Sequence, residues 1–295
     1  PNFKLVSVNT ARYDTTKHLA TPVISDAKVG LQKISEALGD WKAPDDWYKR
    51  AIKEKNEWDA YVEKQSGPTN QEEPSYAHAV GAVYRNSDPS DIVVTAAGGL
   101  VGEVVQVWKP KQLNTFETEW GFSCMGYEIS GALGIKMAKP DQDVVVFVGD
   151  GSYLLNNTDI YSSVIYDQKL IIIVCDNGGH MVINRLQLAK GGKEYICNLR
   201  AARATNLKFV DFENHAKSMG ANAETVSSTS ELEAAYKRAK DSDKTYVITI
   251  KTHGYEWLEG TAFWESPTLQ DPITDNNKSA LEDFESGKNK RRKGV

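Results

Sequence analysis

Residues 147–180 read FVGDGSYLLNNTDIYSSVIYDQKLIIIVCDNGGH. One apolar strand ends in Gly149-Asp150-Gly151 and a second in Asp176-Asn177-Gly178-Gly179; residues 152–175 between the turns hold one helix and the second strand. Both strands, VVVFV at 144–148 and LIIIVC at 170–175, are apolar on consecutive residues, as suits strands covered on both faces in a parallel sheet. In open parallel sheets ligands bind beyond the carboxyl ends of the strands. A single crossover between these two strands therefore sets both glycine turns side by side at one sheet edge.

The residue types in the turns favour an anion held through a metal ion. Gly149 and Gly151 allow backbone N–H groups to approach an anion, the following helix offers its positive end, and Ser152 adds a hydroxyl. Asp150 and Asn177 supply hard oxygen ligands of the kind Mg²⁺ prefers, with a backbone carbonyl of the second turn completing the protein share. Either turn alone is common tight-turn chemistry. The two together, at this separation, are the specific signal.

Outward from this stretch the pattern is repetitive α/β. A helix over 76–84 is capped by Ser75, a strand DIVVTA runs into AAGGLVG at 96–102, and a helix covers 127–138. Further helices are expected at 157–166 and 230–240, and a strand at 246–250. Strands alternating with helices predict an α/β fold with a doubly wound, mostly parallel sheet over residues 75–265. Residues 1–40 predict a strand, a turn-rich loop from Asn9 to Pro22 and an amphipathic helix over 27–38 stopped by Gly39. One strand and one helix do not close a core. This segment is therefore expected to end a preceding α/β domain, and the opening PNFKLVSVN, with no initiator Met, reads as cut from something longer. Residues 41–74 read as a connecting helix with an apolar stripe of Trp47, Ala51, Trp58 and Val62, followed by a linker. Residues 266–295 read as a polar, mobile tail.

Composition narrows the function. The 295 residues carry 35 basic and 40 acidic side chains, a net charge of −5, which speaks against a nucleic-acid or anionic-membrane surface. No apolar run reaches bilayer length and no signal pattern opens the chain. Cys124, Cys175 and Cys197 lack zinc spacing, with Cys175 read as a core thiol. A cytoplasmic protein is expected.

Gly-Asp-Gly, some two dozen residues, then an Asn-bearing turn resembles the diphosphate-binding motif of the thiamine-diphosphate-dependent enzyme family. The resemblance implies thiamine diphosphate and Mg²⁺ as cofactors, with Asp150 and Asn177 binding the metal by side chains and Gly179 by its carbonyl. The family more often has Asn-Asn where this chain has Asp176-Asn177. EWGFSCMGYEISGALGIKMA at 119–138 is similar to the segment preceding that motif, and places Met125, ahead of Gly126, where a bulky aliphatic residue props the bent cofactor. VVTAAGGLVG at 93–102 resembles the loop that wraps the diphosphate, giving backbone roles to Ala97, Gly98 and Gly99; related synthases often carry Gln-His in place of Gly99-Leu100. The implied cofactor set is thus Ala97, Gly98, Gly99, Met125, Gly149, Asp150, Gly151, Ser152, Asn177 and Gly179.

The resemblance also implies a proton-relaying glutamate on a separate N-terminal pyrimidine-binding domain, outside this sequence, so no catalytic residue is assigned here. Glu117, Glu119 and Glu128 lack the context to replace it. Within the family, EWGFSCMGYEISGALG and INRLQ at 183–187 look most like members that hydrolyse a C–C bond of a cyclic 1,2-dione. An acetohydroxyacid-synthase-like carboligase or decarboxylase, and an inert cofactor-binding fragment, are the alternatives. A nucleotide-binding Rossmann protein is disfavoured, since no GxGxxG follows a strand. The resemblance implies a homo-oligomer, a dimer or tetramer, because the family's active site forms where subunits meet. His180, Met181 and Asn184 follow the second turn and are candidates to face the reaction centre. His18, His78, His215 and His253 read as structural, and Trp257 and Trp264 as a lid or as packing.

Overall fold

A computed structural model describes residues 4–202, 206–259 and 268–290. The chain divides into two compact units, Pro1–Glu57 with Ala262–Val295, and Trp58–Thr261. In the first, β1 (Val6–Asn9) and β2 (Thr21–Ile24) pair in parallel around α1 (Arg12–Thr15), with Ser7 opposite Pro22. β2 lies where the sequence predicts a loop. Its proline weakens the strand signal, yet is tolerated where no ladder N–H is required. Asp26 caps α2 (Ala27–Leu38) by accepting the Lys28 and Val29 N–H groups at 3.0 and 3.2 Å, and Gly39 ends it at φ +53°. α3 (Asp45–Gln65) starts in this unit and continues into the second.

Among the described residues the second unit contains one sheet of six parallel strands. In chain order its elements are α4 (Tyr76–Arg85), β3 (Ile92–Thr95), α5 (Gly98–Val107), β4 (Phe116–Thr118), α6 (Tyr127–Ala138), β5 (Val144–Gly149), α7 (Asp150–Leu155), α8 (Asp159–Ile165) and β6 (Ile171–Asp176), then α9 (Met181–Ala189), α10 (Phe212–Ser218), β7 (Asn222–Val226), α11 (Thr229–Asp241) and β8 (Tyr246–Lys251). The strand order is β4-β3-β5-β6-β8-β7. Val145, Phe147, Ile171 and Ile173 point into one core with residues of α4, α5 and α11. Val144, Val146, Val148, Ile172 and Val174 enter the other with residues of α6, α8 and α10. Each fully buried aliphatic side chain contributes about 1.5–3 kcal/mol, which explains why the central strands are apolar on every residue. From α3, Val62 is buried in the first core with Trp58 packed against it, whereas Trp47 is exposed.

This topology locates the site. β3 and β5 are neighbours, but α5 after β3 covers one face while α7 and α8 after β5 cover the other. The chain thus departs in opposite directions at the carboxyl ends of adjacent strands, opening a crevice there. β4 and β7, short strands at the two edges, have no counterpart in the sequence reading. The segment read as a mobile tail contains α12 (Asp275–Lys290), with Ala280 and Phe284 buried one turn apart. Trp264 lies outside the described residues.

Candidate functional site

The crevice holds a cavity of about 310 Å³. Ala97, Gly98, Gly99, Met125, Gly149, Asp150, Gly151, Ser152, Asn177 and Gly179 all line it, as do Tyr76, Ser123, His180 and Met181. α5 and α7 both begin among the residues that line it.

Asp150 opens α7 directly after β5 and is buried. Its Oδ2 accepts the Gly179 N–H at 2.7 Å, joining the two glycine turns. Burial, with the adjacent Asp176 charge, pushes its carboxyl up to about 7 against the N–H groups of Gly151 and Gly179. A cation in the cavity would relieve that penalty. Asp176 turns elsewhere, its Oδ1 accepting the Gly178 N–H at 3.0 Å within its own turn. Asn177 faces the cavity. Its Nδ2 donates to the Tyr76 hydroxyl at 2.6 Å, and its Oδ1 is buried with no hydrogen-bond partner among the described residues.

The second turn needs its glycines. Gly178 and Gly179 sit at φ +79° and +143°, and a Cβ on Gly179 would lie 2.3 Å from the Cys197 carbonyl oxygen. The chain beyond α9 returns against this turn through a bridge between Gly179 and Asn198, and the Leu199 N–H donates to the Gly178 carbonyl at 3.0 Å. Gly151 is a point of convergence. A Cβ there would meet the His180 ring at 2.7 Å and Met125 Cε at 3.3 Å.

Two side chains unassigned in the sequence reading organise these loops. Glu128, buried in the first turn of α6, accepts the Ala97 N–H at 3.2 Å on one oxygen and the Gly126 N–H at 2.8 Å on the other. A hydrogen bond from Ser152 adds the third loop, and burial raises the carboxyl against these donors. Glu128 therefore ties together the loops carrying Ala97, Met125 and Gly151. An acidic residue in a helical first turn is its only sequence signal. Tyr76, at the start of α4, has none beyond its place after the capping Ser75. Glu119 organises the approach to Met125, accepting from the Phe122 and Cys124 N–H groups at 2.8 and 2.9 Å.

The remaining candidates separate. His180 and Met181 line the cavity, whereas Asn184 donates to Glu194 at 3.1 Å away from it. His78 closes the capping box with Ser75, His215 pairs with the Tyr153 hydroxyl at 2.9 Å, and His253 accepts the Tyr255 N–H at 3.2 Å. His18 occupies a left-handed backbone position in the other unit. Trp257 is packed under the Arg185 guanidinium, 3.9 Å from its ring centre, beside Leu258, whose N–H donates to the buried Glu103 at 3.0 Å.

No three His, Cys, Asp or Glu side chains are grouped to hold a metal among the described residues. A site built from one carboxylate, one amide and a carbonyl does not require such a group. The buried, partnerless Asn177 Oδ1, in the same cavity as the Asp150 carboxylate, completes a donor set that fits a hard cation. No helix among the described residues is long and apolar enough to cross a membrane.

Comparison with known proteins identifies the family. Residues 96–250 match the family described as thiamine pyrophosphate enzyme, C-terminal TPP binding domain. The chain is 31% identical to 3D-(3,5/4)-trihydroxycyclohexane-1,2-dione hydrolase of Lacticaseibacillus casei, over 96% of this chain and 48% of that protein. It is 33% identical to the protein of the same name from Bacillus licheniformis, over 88% and 46%. The chain thus spans about half the length of the curated relatives it matches. Among solved structures, the thiamine diphosphate-dependent 4-hydroxybenzoylformate decarboxylase of Rhodococcus jostii RHA1 superposes with a TM-score of 0.65 at 15% identity, covering 85% of this chain and 44% of that one.

Proposed function

This chain belongs to the thiamine pyrophosphate enzyme family, and we propose that it forms the Mg²⁺–diphosphate half of an active site that hydrolyses a C–C bond of 3D-(3,5/4)-trihydroxycyclohexane-1,2-dione. The observation that carries the binding chemistry is the buried, partnerless Asn177 Oδ1 in the same cavity as the buried Asp150. Asp150, Asn177 and the Gly179 carbonyl would hold Mg²⁺. The backbone at Ala97, Gly98 and Gly99 and at Gly151 and Ser152 would oppose the diphosphate. Met125 would support the bent cofactor. The substrate assignment is supported by the names of the relatives at 31–33% identity.

When bound, thiamine diphosphate supplies the electron sink for C–C cleavage. The chain's own residues hold the phosphate end rigidly, with Glu128 fixing three loops at once, and leave His180 and Met181 at the side where substrate would enter. The glutamate that activates the cofactor is assigned to a domain outside this chain. The exposed Trp120 and Phe122, next to Ser123 of the cavity wall, support an assembly in which another subunit covers that rim. A cytoplasmic location completes the reading.

Melting temperatures with and without Mg²⁺ and thiamine diphosphate test the clamp. Ligand at a hundred times its Kd stabilises the native state by about 2.7 kcal/mol. A shift in the parent chain that disappears in Asp150→Ala is expected; equal shifts in both would reject the clamp. Turnover of the cyclic dione against pyruvate by the full-length protein tests the reaction. Consumption of pyruvate alone would replace the hydrolase with a carboligase or decarboxylase.

A further inference from the structure

We infer that Tyr76 is a positioning residue for the metal-binding amide, holding Asn177 so that Oδ1 and not Nδ2 is presented to the cation; this rests on the Mg²⁺–diphosphate reading above. A primary amide has two ends of nearly equal shape and opposite polarity. Only the oxygen end can ligate a cation. In most surroundings a side-chain amide reverses by rotation about χ2, and a cation site built on one must prevent that.

In this structure the Tyr76 hydroxyl engages the nitrogen end, accepting the Asn177 Nδ2–H at 2.6 Å across 101 residues of chain. With the nitrogen end engaged, the opposite end is Oδ1, the atom that is buried and without a partner. The phenol is itself held in place. Tyr76 begins α4, whose start is fixed by the Ser75–His78 capping box, and its ring packs against the core on that side of the sheet. A Cβ placed on Gly99 or on Gly149 would lie 3.9 Å from the Tyr76 ring edge or hydroxyl. The side chain therefore runs beneath the loops after β3 and β5 and meets the loop after β6. The phenol thus meets the metal-binding amide at its nitrogen end, so its contribution is to orientation.

The test measures Mg²⁺ affinity by calorimetry at saturating thiamine diphosphate, together with the melting temperature of the ligand-free protein. Four forms are compared: wild type, Tyr76→Phe, Asn177→Asp and the double variant. Tyr76→Phe should lower the ligand-free melting temperature only by what one lost hydrogen bond costs, and weaken Mg²⁺ by about tenfold or more, the usual cost of losing a partner that orients a ligand. In the Asn177→Asp background the same change should cost less than about twofold, because a carboxylate offers an oxygen whichever way it turns. Unaltered Mg²⁺ affinity in Tyr76→Phe overturns the inference. So does an equal penalty in both backgrounds, which would make the role one of packing. Absence of Mg²⁺ binding in the wild type overturns the clamp reading, and this inference with it. If Tyr76→Phe does not fold, the wild type decides. One Asn177 side-chain N–H proton should exchange slowly with solvent in the Mg²⁺-bound protein, and rapid exchange of both counts against the assignment.

Discussion

The Gly179 N–H donates to Asp150 Oδ2 at 2.7 Å, joining two turns that lie 29 residues apart in the chain. The carboxylate therefore has two separable tasks, a hydrogen bond that welds the turns and a charge for the cation. Asp150→Asn keeps an acceptor for Gly179 and removes the charge. Its ligand-free melting temperature should stay near that of the parent, while Mg²⁺ affinity falls by at least about tenfold. Calorimetric titration measures both halves of this expectation, and parent-like Mg²⁺ binding would contradict it.

Two glycine substitutions should fail in different ways. In Gly151→Ala the new Cβ meets the far end of the His180 ring, which can rotate aside, so stability should change by less than about 1 kcal/mol while the cofactor-induced melting shift is lost. In Gly179→Ala the Cβ meets a backbone carbonyl at 2.3 Å and the residue is held at φ +143°. That variant should lose more than about 2 kcal/mol in urea denaturation. Equal stabilities for the two variants would show that the second turn relaxes freely.

Glu128 satisfies two buried N–H donors with its two oxygens. Removing both acceptors in Glu128→Ala should cost about 2–6 kcal/mol, since each buried donor left unsatisfied costs about 1–3 kcal/mol. Glu128→Gln retains one acceptor and should fall between. Denaturation midpoints of the three proteins give the order directly; a neutral alanine variant would dismiss the carboxylate as a loop tie.

Glu103 predicts a pH dependence. Burial pushes its carboxyl up to about 7 from an ordinary 4.5, against the Leu258 N–H and the Arg185 charge. Between those values the folded protein holds a proton that the unfolded chain has released, so stability falls as pH rises through that window. Below it there is no penalty; above it the penalty is complete. Glu103→Gln keeps an acceptor for Leu258 and removes the titration. Relative to the parent it should gain stability at pH 8, by about 3 kcal/mol at most, and no such gain at pH 4. Urea denaturation at the two pH values checks this, and a pH-independent difference would rule it out.

Much of this protein is legible in one dimension. Uninterrupted apolar runs at 144–148 and 170–175 demand a sheet covered on both faces, and glycines directly after them mark where backbone must approach something else. The bounds of α2 and α6 follow from periodicity and their ends. β2, β4 and β7 were not legible, because short edge strands carry little alternation of apolar residues, and β2 contains a proline as well.

What the sequence by itself determined is the pair of turns and the residue types they carry, since these depend on local backbone requirements and on adjacent strands. The tertiary structure alone decided that Tyr76 holds the amide of Asn177 and that Glu128 binds the loops of Ala97 and Gly126 together. The reason is physical. Tyr76 and Asn177 meet across 101 residues and Ala97 and Glu128 across 31. Such contacts exist only once the strand order has been chosen, and periodicity records whether a residue is buried, not which partner it finds there.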